Sequence, residues 1–176
     1  KDFELFSPNC NFTDDTVMTV AVAEACMNEE SYVDSLQAWG RKYPFAGYGS
    51  WFGRWIFSEN PEPYNSFGNG SAMRVSSIGW LFDDEEMVLQ KASESAQITH
   101  NHQEGIMGAK AVALGVYLAR KGSTKIKIKE RLESTFGYSL GRTLDSIRPE
   151  YHFDVTCQGS VPEAIIAFLE SNDFED

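Results

Sequence analysis

Apolar residues along this chain recur at helical rather than strand spacing, and the pattern predicts helices from one end to the other. Residues Asp14 to Met27 carry Val17, Met18, Val20, Ala21, Val22, Ala23, Ala25 and Cys26 almost all the way round, which predicts a central helix buried on most sides. Ser31 to Tyr43 places Tyr32, Val33, Leu36, Trp39 and Tyr43 on one stripe, with Asp34, Gln37 and Arg41 off it; this is a surface helix that Pro44 stops. From Phe45 to Phe67 the chain turns to Gly, Pro and aromatics, a long ordered loop with a short helical run at Trp51 to Ser58 and breakers at Pro61 and Pro63. Helices are predicted next over Ser71 to Phe82, from a cap at Asp83 or Asp84 to Ile98, and over Glu104 to Lys121. In the last of these, Gly105, Gly108, Ala109, Ala111, Ala113 and Gly115 form a small-residue face that a neighbouring helix can approach closely.

Gly122 ends that helix and Ser123 caps the next, Thr124 to Phe136. Its opening Lys125-Ile126-Lys127-Ile128-Lys129 alternates with period two, but Leu132, Phe136 and the terminating Gly137 favour helix. Tyr151 to Cys157 has no obvious partner strand and reads as an extended loop. Ser160-Val161-Pro162-Glu163 has the pattern of a capping box with Pro in the first turn. Ser171 to Asp176 reads as the cap and acidic first turn of a further helix. With no internal repeats, the expectation is one all-α domain over residues 1–176.

Composition narrows the function. With 176 residues, 42% hydrophobic and 23% charged, the chain is rich enough in apolar side chains to fold as a globular domain. The balance of 15 Lys+Arg against 26 Asp+Glu gives a net charge of −11. Such a surface repels a phosphate backbone or an anionic membrane, so a nucleic-acid partner is disfavoured. Cys10, Cys26 and Cys157 are odd in number and widely spaced, which suggests neither a disulfide framework nor a zinc clip and fits a cytoplasmic location. The opening Lys1-Asp2-Phe3-Glu4 does not resemble a signal peptide, and the most apolar stretch, Gly105 to Ala119, is too short to span a bilayer.

Three segments carry candidate chemistry. Phe12-Thr13-Asp14-Asp15-Thr16 stands at the start of the most apolar helix. Either Thr13 or Asp14 is a plain N-cap with acids complementing the helix dipole, or the two carboxylates and two hydroxyls hold a cation. A helix end offers about half a positive charge, too little to balance two carboxylates, and hard oxygen donors without His or Cys favour Mg²⁺ or Mn²⁺ over zinc. Gly68-Asn69-Gly70-Ser71 is either a turn into a helix or a place where free amides meet a phosphate or sugar hydroxyl. Thr99-His100-Asn101-His102 is a polar joint between helices; a His at i and i+2 does not share a helix face, so a two-His metal site is disfavoured, while a single His can hydrogen-bond a ligand. The tryptophans are expected in core or cleft wall, and Cys26 as an inert small hydrophobe.

Taken together, Phe12-Thr13-Asp14-Asp15-Thr16, Gly68-Asn69-Gly70-Ser71-Ala72-Met73-Arg74-Val75 and Ser95-Ala96-Gln97-Ile98-Thr99-His100 leading to Gly108-Ala109 resemble, in order and spacing, the ADP-ribosylglycohydrolase family, which includes the dinitrogenase reductase activating glycohydrolase. The resemblance implies a compact all-α fold with two magnesium ions in a cleft, and hydrolysis of the bond joining ADP-ribose to an acceptor, an ADP-ribosylated protein or small conjugate. It implies that Thr13, Asp14 and Asp15 are metal ligands, Asp14 or Asp15 also serving as base. Asn69, Gly70 and Ser71 would hold the ribose and diphosphate, and His100 would contact ADP-ribose.

The chain also departs from the family pattern. Members begin with a Gly-Asp-containing helix and a metal-site Glu that would lie before Lys1, and they carry a later Asp-x-Asp-Thr motif that occurs nowhere here. The expectation is therefore a segment of a longer domain, lacking its N- and C-terminal parts and weakly active by itself. Phe67 and Ser66 stand where some members carry an acid, which counts against arginine-linked substrates. The alternatives are a non-catalytic ADP-ribose-binding or structural protein on the same fold, and an unrelated helical phosphohydrolase using Asp14 and Asp15.

Overall fold

The computed structural model describes residues 7–173. The opening tetrapeptide and the last three residues of the stretch read as a further helix start lie outside the described residues. Among the described residues ten helices follow in order, α1 (Asp14–Asn28), α2 (Tyr32–Lys42), α3 (Ser50–Ile56), α4 (Gly70–Met73), α5 (Ser76–Leu81), α6 (Glu85–Gln97), α7 (Gln103–Arg120), α8 (Lys125–Phe136), α9 (Leu144–Ile147) and α10 (Cys157–Glu170). The only β pairing among the described residues is an isolated antiparallel bridge between Gly68 and Thr156. The all-α expectation holds, and no described helix is long and apolar enough to cross a membrane.

The centre is α7 rather than α1. Helices α4, α5, α6, α8 and α10 all pack on α7, whereas α1 packs mainly on α2, α5 and α4. One broad face of α1 is buried through Val17, Met18, Ala21, Val22 and Ala25, while Val20 and Met27 are exposed. An all-round apolar sequence thus yields a one-sided helix, because small residues such as Ala23 do not force burial. Two apolar clusters lie on opposite faces of α7. Ala109 and Ala113 join Met18, Leu36, Ile56, Ile78 and Val88 on one side. Ala111 and Leu114 join Ile128, Leu132, Leu140, Val161 and Ile166 on the other.

Small residues bring these helices together as their spacing predicts. A Cβ added at Gly108 would sit 2.5 Å from Cys157 Sγ on α10, and one at Gly79 of α5 would sit 2.6 Å from the Ala113 carbonyl and 2.9 Å from the Tyr117 amide of α7. Those α7 atoms are main chain and cannot swing aside. Gly79→Ala is expected to lower the unfolding free energy by about 2–3 kcal/mol, read as a fall in urea midpoint at unchanged slope.

Several boundaries differ from the sequence expectation. Ser71 to Phe82 is broken into α4 and α5 at Arg74 and Val75. The Met73 carbonyl accepts a hydrogen bond from the Thr19 hydroxyl of α1 at 3.2 Å, and the Arg74 side chain is drawn into the core. Thr124, not Ser123, caps α8, its hydroxyl accepting from the Lys127 amide. Thr156 caps α10 through the Gly159 amide at 3.1 Å. The expected capping role of Ser160 fails because its hydroxyl donates backwards to the Thr156 carbonyl at 2.6 Å, and Pro162 lies inside the helix. Ser171 is the C-cap of α10, its amide donating to the Ala167 carbonyl. Helix α9 is too short for periodicity to reveal, and it starts with a reciprocal cap between Thr143 and Ser146. Gln37, placed off the buried stripe of α2, is itself buried and donates to the Trp55 and Ser58 carbonyls. Of the tryptophans, Trp55 is core, while Trp51 and Trp80 are exposed.

Candidate functional site

At the start of α1 the backbone of Thr13 is extended, yet its hydroxyl makes no capping bond and donates instead to Asp15 Oδ2 at 3.0 Å. The Asp14 amide is held by the Ala46 carbonyl at 2.8 Å, which ties this helix end to the loop before α3. That loop turns at Gly47, whose φ of +102° suits glycine, and a Cβ there would be 3.7 Å from Asp14 Oδ1. Partial burial, and then the charge of Asp15, raise the Asp14 carboxyl above the usual carboxylate range. Tyr48 follows the same logic from the other side. Burial and the Asp14 charge push its phenol up to about 12, and its hydroxyl is buried without a partner among the described residues.

Thr13, Asp14 and Asp15 are therefore together at one helix end, with oxygen donors of the kind Mg²⁺ takes. They fall short of a complete set. Among the described residues no group of three or more His, Cys, Asp or Glu side chains gathers to hold a metal, and Mg²⁺ demands near-octahedral coordination.

The second group forms around the Gly68–Gly70 turn. The Asn69 amide donates to the Val155 carbonyl and the Cys157 amide to the Phe67 carbonyl, both at 2.8 Å, so the turn is laced to the start of α10. The Asn69 side-chain nitrogen donates to Ser160 Oγ at 3.1 Å and to the Asp154 carbonyl at 3.4 Å. Ser71 is fully buried, and its hydroxyl donates to the Gly105 carbonyl at 2.7 Å, facing α7. His100 comes from the joint between α6 and α7, where His102 caps α7. It lies against the glycines: a Cβ at Gly70 would be 3.3 Å from His100 Nε2, and one at Gly68 would be 3.6 Å away. Tyr64 packs on the other side, ring centroids 6.0 Å apart, and exposed Trp51 of α3 stacks on Tyr64 at 6.2 Å.

The structure thus brings together Thr13 with Asp14 and Asp15, and separately Asn69 and Gly70 with His100. The Thr19 bond to Met73, one turn into α1 and at the end of α4, connects the two helices that carry these groups. A surface cavity of about 740 Å³, lined by Lys125, Leu144, Arg148 and Phe168 among others, contains none of the candidate residues. Two contributors escaped sequence reasoning. Tyr48 lay in a loop read only as aromatic-rich, and Arg74 was an unremarked cation within the apolar run Met73, Val75, Ile78 that signals a buried charge.

Burial, with the neighbouring Arg74 guanidinium, presses His100 from its ordinary 6.5 down to about 3. Between those values the unfolded chain binds a proton that the folded chain refuses, so this contribution is complete above pH 6.5 and lost as pH falls. From pH 7.5 to pH 5 wild type is expected to lose about 2 kcal/mol more unfolding free energy than His100→Gln, measured by denaturant titration.

Comparison with known proteins matches the sequence to a family. Mouse (Mus musculus) ADP-ribosylhydrolase ARH3 is 32% identical over 130 residues, covering 63% of this chain and 35% of that protein. The human (Homo sapiens) protein of the same name is 32% identical over 132 residues, 64% of this chain and 36% of the relative. The chicken (Gallus gallus) one is 31% identical over 131 residues, with the same two shares. The matched stretch spans about a third of the length of these relatives. The ADP-ribosylglycohydrolase family model matches residues 2–176, and the chain belongs to the ADP-ribosylglycohydrolase family.

Proposed function

We propose that this protein is a magnesium-dependent hydrolase that cleaves ADP-ribose from a modified protein or small-molecule acceptor. The observation that carries the reading is the family match over residues 2–176, in which the Gly68–Gly70 turn meets buried His100. Thr13, Asp14 and Asp15 would hold part of the metal centre. Bound metal would supply charge stabilisation and a more acidic water at the anomeric carbon. Asp14 or Asp15 would accept the proton of the attacking water. The turn at Asn69 and Gly70 would present main-chain groups to ribose and diphosphate. Ser71, its hydroxyl bound to Gly105, would contribute through its backbone, and neutral His100 would hydrogen-bond the ligand.

The second reading is a non-catalytic ADP-ribose-binding protein on this fold. The test incubates the protein with ADP-ribosylated protein and with a small ADP-ribosyl conjugate, each with Mg²⁺ and with chelator, and titrates free ADP-ribose by calorimetry. Mg²⁺-dependent release of ADP-ribose supports hydrolysis. Binding without release selects the second reading, and neither binding nor release rejects both.

A further inference from the structure

We propose that Thr99 and Arg74 are positioning residues that hold His100 as one neutral tautomer, with its single proton on Nε2, the nitrogen that faces the Gly68–Gly70 turn. The argument follows hydrogens from the core outward. A guanidinium has donors and no acceptor, so the contact of Arg74 Nη2 with Thr99 Oγ1 at 3.1 Å runs from Arg74 to the hydroxyl. Thr99 has no solvent exposure, so its own hydrogen needs an acceptor within the protein. The one other partner of that hydroxyl among the described residues is His100 Nδ1, at 2.7 Å. Thr99 therefore donates and Nδ1 accepts through its lone pair. A neutral imidazole with a free Nδ1 lone pair carries its proton on Nε2. The reverse arrangement, with Nδ1–H donating to Thr99, strands the threonine hydrogen in the core.

The arrangement has a direction and a chemical consequence. Arg74 is itself fixed, fully buried with Nη2 also donating to the Ser95 carbonyl, so the chain of donors starts from an anchored group. It ends at an N–H facing two glycines, whose missing side chains leave room beside it. A fixed N–H there recognises an oxygen acceptor, such as a phosphate or ribose oxygen, and does not accept from a ligand hydroxyl. The ligand part of this inference rests on the function proposed above, whereas the tautomer does not.

Long-range proton–nitrogen correlation spectra of ¹⁵N-histidine-labelled protein at neutral pH read the tautomer directly, with His100 assigned by its loss in His100→Gln. Wild type is expected to show one tautomer, Nδ1 bare and Nε2 protonated. Thr99→Val, which keeps shape and loses the hydroxyl, is expected to give a mixture, and Thr99→Ser to restore the single form. In calorimetric titration, free ADP-ribose should bind Thr99→Val about tenfold more weakly, the worth of one hydrogen bond, and Thr99→Ser like wild type. An Nδ1-protonated or mixed wild type overturns the proposal even if Thr99→Val fails to fold. So does a Thr99→Val protein whose tautomer is unchanged, whereas an altered tautomer that leaves ADP-ribose affinity intact overturns the ligand part alone. The expected tautomers with no ADP-ribose binding to wild type support the donor chain and reject the ligand reading.

Discussion

Asp14→Asn is expected to cut Mg²⁺-dependent release of ADP-ribose by about 100-fold or more, and at the same time to raise the melting temperature measured in chelator. The two signs follow from one geometry. Asp14 is partly buried at the α1 start beside the Asp15 charge, and both raise its carboxyl above the usual range. At neutral pH the ionised group is a net burden on the metal-free fold, which a neutral amide of the same shape relieves. On the proposed function the same substitution also removes a charged oxygen ligand, a larger loss to a metal site than the 10- to 100-fold that follows loss of an outer partner. Adding Mg²⁺ should therefore raise the melting temperature of wild type and leave Asp14→Asn unmoved. A variant destabilised in chelator, or one that hydrolyses normally, removes Asp14 from the metal centre and leaves it as a plain helix-end acid.

Arg74→Ala is expected to lower the unfolding free energy by about 3–5 kcal/mol, and Arg74→Met by about 1–2 kcal/mol. The guanidinium is 1% exposed, has no carboxylate partner among the described residues and lies 6.0 Å from the Phe52 ring. Burial lowers its pKa to about 10, so it stays charged at neutral pH in surroundings that disfavour the charge. Methionine fills most of the space and removes that unpaired cation, but it leaves the Ser95 carbonyl and Thr99 hydroxyl without their donor. Alanine adds a cavity to the same loss. Urea titration of the three proteins at constant slope should rank them wild type, Met, Ala. Equal losses in Met and Ala would assign the whole effect to the hydrogen bonds rather than to volume.

The long helices α1, α2, α6, α7 and α8 were legible because their apolar spacing, caps and terminal glycines agree, as at Asp84, Gly122 and Gly137. Short elements were not. Helix α9 has four residues and a Thr143–Ser146 cap instead of a Ser/Thr–Glu/Gln pair, and the α4–α5 break accompanies the burial of Arg74, a tertiary contact. The competition at the start of α10 was equally invisible, since Thr156 and Ser160 are both good capping residues and only tertiary contacts choose between them. For the site, residue types at Asp14, Asn69 and His100 were readable along the chain. The direction of Ser71 into α7, the placement of Tyr48 beside Asp14 and the burial of Arg74 beneath Thr99 are through-space facts that no local pattern encodes.

The position of α7 between two apolar clusters has a consequence for how the molecule comes apart. Val112 and Tyr117 touch both clusters, and the alanines of α7 are divided between them. Neither half can lose its core without exposing a face of the helix that the other half needs. Denaturation should therefore proceed as a single cooperative transition, with intrinsic tryptophan emission, weighted toward the α2 and α3 side, and far-ultraviolet ellipticity following the same curve.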